Sequence, residues 1–500
     1  MARVKQMFGT PQIPVADTTN RDGYDAYTRS IYEQFVQTLF CNTLGNTYYA
    51  DSKEMLKEAS KVHQDMLKED KFFFADALPV ARQEGCMKLQ PVYALSLLAA
   101  TDPGLFEKTF PGVVLIPSDL QDFMTILDSA GRGQGGRAVK RTVANWMNEK
   151  MSEYWAIKYD GDARGYSLGD LVQTIHPKPK NSFVSGLYGY LIGSEKVNLA
   201  EYKQLTAYQA LKKTTDPKEQ IRLVREGRLP HEVVTGVTKM SPDLWDALVQ
   251  DMPVFATLRN LNALDRVGVL DKNRKIIEER LTNPEILAKS KILPFRFLNA
   301  FDNVSKAWVK DALRSAVEAT FNNLPEISGK TAIFLDVSGS MSGEYLKIGS
   351  VFAIALYKKT RGNGLFWLFD TRVFDGQPSL HDSILTQANK IHTRGGTNTG
   401  APMRKLWQDR EKVDNIIMIT DEQQNTGNPF YGELAEYRRH INPNVKTFII
   451  DISGYRQAMV PQGDPNTFYI YGWSDQVLNY ISMASKGFGT IVDAIKAKRK

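Results

Sequence analysis

From Thr331 onward the chain alternates short runs rich in β-branched and aromatic residues with amphipathic stretches of helix length. The runs are TAIFLD, LFWLF, IIMIT, VKTFIID and TFYIYG; residues 345–360 show helical spacing, and a last helix is expected from about Asp475. Parallel strands need long crossover connections, which helices supply, so this alternation predicts a doubly wound α/β sheet. The preceding residues read differently. Apart from a brief GVVLIP at 112–117, they carry helix-length segments broken by Pro, Gly and Asn, among them 89–100, 120–129, 138–149, 199–213 and 242–270. That half is expected to be all helical, built of stacked helix pairs. The turn-rich stretch 322–329 separates the halves. The expected organisation is a tail over 1–20, a helical domain over 21–328 and an α/β domain over 329–500.

The whole-chain properties narrow the function classes. A length of 500 residues exceeds one ordinary core, and 42% hydrophobic with 24% charged residues is the balance of a soluble globular protein. No apolar run approaches the ~20 residues of a membrane span. The basic start MARVKQMFGTPQ has no apolar core behind it, so no secretory signal is read and a cytoplasmic location is expected. Two cysteines, Cys41 and Cys86, argue against both a disulfide framework and a zinc site. The net charge of +7 names no partner, so any nucleic-acid footprint must be local.

Chemistry concentrates where the first strand run ends. FLDVSGSMSG places Asp336, Ser338 and Ser340 at alternate positions on a strand-to-helix loop, where α/β sheets put their binding sites. GGTNTG, with Thr397, and ITDEQ, with Asp421, belong to the same expected sheet edge. Two carboxylates and three hydroxyls make a hard oxygen site suited to Mg²⁺ or Mn²⁺, with a position left open for a carboxylate, a phosphate or water. Asp336, Ser338, Ser340, Thr397 and Asp421 together resemble the metal-ion-dependent adhesion site (MIDAS) of von Willebrand factor A domains. Catalytic readings fare worse: a haloacid dehalogenase-type phosphotransferase needs an acid where Ser338 stands, and VSGSMSG does not match G-x-S-x-G in frame. No enzyme is expected.

In the helical half, GRGQGG at 131–136 matches a dinucleotide-loop pattern but follows a helical segment instead of a strand, so the match is read as accidental. Its charge is more informative. Arg132, Arg137, Lys140 and Arg141 fall close together, and Arg137, Lys140 and Arg141 share one face of a helix whose other side offers Val139, Val143 and Trp146 for burial. A rigid basic turn, His176-Pro-Lys178-Pro-Lys180, follows.

Several segments in order are similar to the Ro autoantigen family, whose helical part is the TROVE domain. They are NTYYAD (46–51), RQEGCMKLQPVYALSL (82–97), IPSDLQDF (116–123), GRAVKRTVANWMNEK (136–150), LGDLVQTIHPKP (168–179), LVREGRLPHEVV (223–234), LWDALVQDMPVFATLRNL (244–261) and ILPFRFLNA (292–300). The resemblance implies an all-α ring of HEAT-like repeats followed by a Rossmann-like von Willebrand A domain. It implies a noncatalytic ribonucleoprotein scaffold that binds small noncoding Y-like RNAs on an outer basic surface. In some members the hole takes single-stranded 3′ ends of misfolded noncoding RNAs, and an exoribonuclease is a further candidate partner. A monomer with no membrane partner is expected. Lys140, Arg141 and His176 match basic positions used for RNA contact, with Arg137 beside them. At 85–91 the chain reads GCMKLQP, with Cys86 where relatives tend to carry arginine and Lys88 as the candidate substitute. The alternative from another class is a metal-dependent adhesion module that grips an acidic residue of a partner; a metal-dependent nuclease is a third.

Overall fold

The computed structural model describes residues 14–41, 49–131, 133, 135–161, 165–290, 292, 294–322, 327–472 and 491–498. The first 13 residues, residues 46–48 of NTYYAD, Arg132, Leu293, the middle of the 322–329 boundary and residues 475–490 of the expected last helix lie outside them. Two compact units divide the chain, one of residues 67–320 and one of residues 1–66 with 321–500. The described residues from 14 to 66, which the sequence reading divides at residue 20 between a tail and the helical domain, fall in the same compact unit as the α/β sheet.

That unit is built on a six-stranded sheet of β3 (Thr331–Asp336), β4 (Gly364–Phe369), β5 (Val373–Asp375), β6 (Asn415–Thr420), β7 (Lys446–Asp451) and β9 (Thr467–Tyr471), in the order β5-β4-β3-β6-β7-β9. All neighbours are parallel except the short edge strand β5, which runs antiparallel to β4. Every residue of β3 and β6 is buried, as expected of strands covered on both faces. The helix Glu344–Lys359 packs close to β3: a Cβ on Gly349 would stand 3.0 Å from Leu335 Cδ1. From β3 the chain adds β4 on one side and later returns to add β6 on the other. The crevice between the carboxyl ends of β3 and β6 is the switch point where such sheets bind ligands.

The first described residues join this unit through hydrogen bonding and burial. β1 (Thr18–Thr19) and β2 (Asp25–Thr28) form a hairpin, and β2 pairs antiparallel with β8 (Gln457–Ala458). The helix Ile31–Cys41 then buries Phe35, Val36, Leu39 and Phe40. Loss of that apolar surface from water helps to hold this segment in the unit.

The helical unit follows the predicted segments, with differences at two long ones. The 242–270 segment is three helices, Pro242–Val249, Val254–Arg266 and Val269–Lys272, because Pro253 cannot continue the first and Gly268 turns left-handed before the third. The 199–213 segment is a single 3-10 turn, Leu199–Glu201, and the helix Lys203–Leu211. GVVLIP forms no strand. It ends the helix Pro103–Val113, crosses an extended link and enters the helix Pro117–Ser129 at its first proline. The link's Val114 carbonyl accepts the Trp146 indole N–H at 2.8 Å, and the Trp146 ring stacks on Trp155 with centroids 5.6 Å apart. Trp146→Ala is expected to lower the stability of the helical unit by about 3–5 kcal/mol, read as a lower urea midpoint of its unfolding by circular dichroism.

Candidate metal centre and basic surface

The sequence-predicted metal residues come together at the switch point. Asp336 is the last residue of β3 and Asp421 immediately follows β6; Ser338 and Ser340 sit on the 3-10 turn Gly339–Met341 and its N-cap, and Thr397 lies in the loop before the helix Gly400–Gln408. All five are buried, between 0% and 4% exposed. The loops are tied to one another by the backbone: Gly339 N–H donates to Gly395 O at 3.0 Å, and Arg394 N–H donates to Val337 O at 2.6 Å. Thr397 N–H donates to Asn425 Oδ1 at 2.8 Å, and Thr426 N–H returns to Thr397 O at 3.2 Å.

The carboxylates are only partly satisfied. Asp336 accepts the Ser338 N–H at 2.9 Å and the Thr420 hydroxyl at 2.7 Å. Asp421 Oδ1 accepts Gln423 N–H at 3.2 Å, while among the described residues the buried Asp421 Oδ2 has no hydrogen-bond partner. The Ser338 and Ser340 hydroxyls lie 3.3 Å apart. Burial pushes both acids above the usual carboxylate range, with Asp336 raising Asp421 further and Asp370 raising Asp336. Three hydroxyls and two carboxylates, one of them with the unpartnered Asp421 Oδ2, form an oxygen donor set of the kind that a hard divalent cation takes.

Several residues of the site escaped the sequence reading. Four parallel strands are followed or closed by an aspartate: Asp336, Asp370, Asp421 and Asp451. That regularity is present in LFWLFD and IIMITD as plainly as in TAIFLD. Asp370 is buried; its carboxylate accepts Arg372 N–H at 2.9 Å and its carbonyl accepts Asn398 N–H at 2.8 Å, so it shapes the Thr397 loop. Asp451 and Glu422 form a buried ionic cluster with Arg29. His381 and His392 are not buried, and among the described residues neither bonds to Ser338 or Ser340.

The basic face is on the helix Gly136–Lys150, where Val139, Val143, Trp146 and Met147 are buried and Arg137 and Arg141 are exposed. Lys140 is half-buried. Arg141 pairs with Glu107, whereas among the described residues neither Arg137 nor Lys140 has an ion pair. One helix position, Asn148, staples this face to the basic turn. Its Nδ2 donates to Lys178 O at 2.8 Å and its Oδ1 accepts Lys180 N–H at 3.1 Å. Exposed His176 caps the helix Leu168–Ile175 in the left-handed region at φ 52°. Arg137, Arg141 and Asn148 lie on one side of their helix by spacing, so the turn extends the same surface. Lys88, the candidate substitute for an arginine at Cys86, bonds Ser118 Oγ through its Nζ at 2.8 Å and stands 3.7 Å from both Asp119 and Asp122. The GRGQGG loop follows the helix Pro117–Ser129, which removes the dinucleotide reading.

The raised carboxylates carry a pH prediction for the protein in chelator. A carboxyl whose folded pKa lies above its unfolded value favours the fold at low pH, and that contribution is lost as pH rises from about 4 through the folded pKa. Asp421→Asn should therefore raise the melting temperature at pH 8 more than at pH 5, as read by calorimetry in EDTA.

Comparison with known proteins agrees with this architecture. The TROVE domain model matches residues 231–370. RNA-binding protein RO60 of Deinococcus radiodurans is 25% identical over 456 residues, covering 83% of this chain and 85% of its own length. RNA-binding protein RO60 of Caenorhabditis elegans is 26% identical, covering 73% of this chain and 70% of its own. The crystal structure of the Deinococcus radiodurans RO (RSR) protein superposes with a TM-score of 0.69 at 22% identity, over 92% of this chain and all of that one. The chain is thus similar over most of its length to the RNA-binding RO60 proteins, matches the TROVE domain over residues 231–370 and shares the fold of the Deinococcus radiodurans RO protein.

Proposed function

We propose that this chain is a noncatalytic RNA-binding protein of the Ro type, a scaffold for small noncoding RNAs. The observation that carries the reading is the continuous basic surface of Arg137, Lys140 and Arg141 stapled through Asn148 to the His176 turn, in a chain whose relatives are named RNA-binding proteins. Lys140 supplies a point charge and Arg141 a planar fork to phosphates, and His176 offers a ring to an unstacked base. Arg141 must exchange Glu107 for phosphate, an exposed pair that costs little to give up. Y-like RNAs, and single-stranded 3′ ends of misfolded noncoding RNAs, are the substrates this reading favours, and an exoribonuclease acting on the bound RNA is the further partner.

The α/β unit adds a divalent cation, Mg²⁺ or Mn²⁺, held by Asp336, Ser338, Ser340, Thr397 and Asp421. The cation supplies positive charge to two buried carboxylates and an open position for an anionic oxygen. The orphaned Asp421 Oδ2 supports this.

Two measurements test these readings. A gel-shift titration with a structured small RNA carrying a single-stranded 3′ tail should show salt-sensitive binding, with a slope of about 0.7 to 0.9 per neutralised phosphate. Lys140→Ala/Arg141→Ala should weaken it at least about tenfold and lower the salt slope by about 0.7 to 0.9 for each phosphate no longer neutralised. Binding unchanged in the double variant would turn the search to an acidic protein partner at the metal edge. Asp336→Ala should abolish Mg²⁺ and Mn²⁺ binding in calorimetry while leaving RNA intact and bound.

A further inference from the structure

The loop after β6 carries Asp421, and the three residues that follow it are each held by the segment that contains the β1–β2 hairpin. Arg29 pairs with Glu422 at 2.5 Å, Arg21 N–H donates to Gln423 Oε1 at 2.9 Å, and Asn20 Nδ2 donates to Gln424 O at 2.7 Å. These contacts are interior ones: Asn20, Arg29, Glu422, Gln423 and Gln424 are all less than 9% exposed. They also lead straight to the ligand loops. Gln423 Nε2 donates to the Asp421 carbonyl at 3.0 Å, and Gln424 Oε1 accepts the Thr399 hydroxyl at 2.5 Å, two residues beyond Thr397.

The loop needs holding. Glu422 stands in the left-handed region at φ 60°, which a branched or long side chain adopts only when its surroundings enforce it. Arg29 supplies that enforcement from one side, lying 3.8 Å over the Tyr469 ring, while Met459 N–H holds the other carboxylate oxygen at 2.9 Å. The hairpin turn is itself built to present Asn20, whose Oδ1 accepts the N–H groups of Asp22 at 3.0 Å and Tyr24 at 2.9 Å. A buried loop must find partners for its polar groups, and here those of the Gln424 carbonyl and the Gln423 side chain come from about 400 residues away in sequence.

We propose that residues 20–29 form an intramolecular strap that sets the shape of the ligand loop 421–424, so that Asn20, Arg29 and Gln423 are positioning residues for the divalent cation. The inference rests on the cation reading given above. Partners behind a ligand orient it, and their loss lowers metal affinity without removing any donor. The strap therefore makes cation binding depend on two segments far apart in the chain.

The test is calorimetric titration of the full chain with Mg²⁺ and with Mn²⁺, beside amide hydrogen exchange of residues 421–425 in chelator. Asn20→Ala and Gln423→Met should each weaken cation binding about tenfold and speed exchange in that segment. Lys140→Ala/Arg141→Ala should change neither. Gln423→Met keeps the side-chain volume, so it carries the test if Asn20→Ala fails to fold. Variants that bind the cation as tightly as wild type overturn the strap's positioning role, whether or not exchange rises. A wild-type chain that binds neither cation overturns the metal reading instead, and faster exchange in the variants would then still mark the strap as the loop's anchor.

Discussion

Asp336 and Asp421 end adjacent parallel strands in the interior of the α/β unit, and the cost of keeping two carboxylates there governs much of what surrounds them. Isolated charges taken from water cost far more than a domain can spare unless they are paired, protonated or bound to a cation. The protein meets this in part with hydrogen bonds from Ser338, Thr420 and Gln423, and in part with carboxyl groups that hold their protons more firmly than usual. One oxygen of Asp421 has no hydrogen-bond partner among the described residues. The proposed divalent cation would remove both the repulsion and the orphaned acceptor at once.

A second buried charge cluster lies behind the first and is solved differently. Glu422 and Asp451 share Arg29, whose guanidinium lies over the Tyr469 ring, and Gln37 donates to Asp451 at 2.5 Å. Burial still pushes Glu422 and Asp451 upward, against the pull of Arg29. Removing Arg29 would leave two acids uncompensated, whereas removing one acid would leave an arginine buried beside the other. This interdependence explains why a polar segment with two very short strands is nonetheless an integral part of the unit.

How legible all this is in the sequence depends on range. The convergence of the proposed metal residues is readable because each carboxylate marks the end of an apolar run, and a parallel sheet brings such ends to one edge whatever the strand order. Asp370 obeys the same logic in LFWLFD but, with no D-x-S-x-S pattern around it, does not stand out. The strap is not readable at all: TTNRDGYDAYT carries turn signals, but nothing local says that Thr28 pairs with Gln457 or that Arg29 finds Glu422. The helical half shows the complementary failure. Apolar spacing continues through 242–270 as though one helix ran there, and Pro253 and Gly268 decide otherwise through backbone geometry that periodicity does not register.

The basic surface is organised by backbone geometry as well as by charge. His176 occupies the left-handed region at a helix end, a conformation uncommon outside glycine, and Pro177 and Pro179 restrict the chain on either side of Lys178. Asn148 then bonds the backbone of Lys178 and Lys180 from a neighbouring helix. The turn has few conformations left to lose, so a phosphate chain that meets it does not have to order it first, and the contact energy is retained as affinity. In the proposed RNA contact, Lys140 and Arg141 would provide charge that salt can screen, whereas Asn148 and the prolines would provide a shape that salt leaves alone.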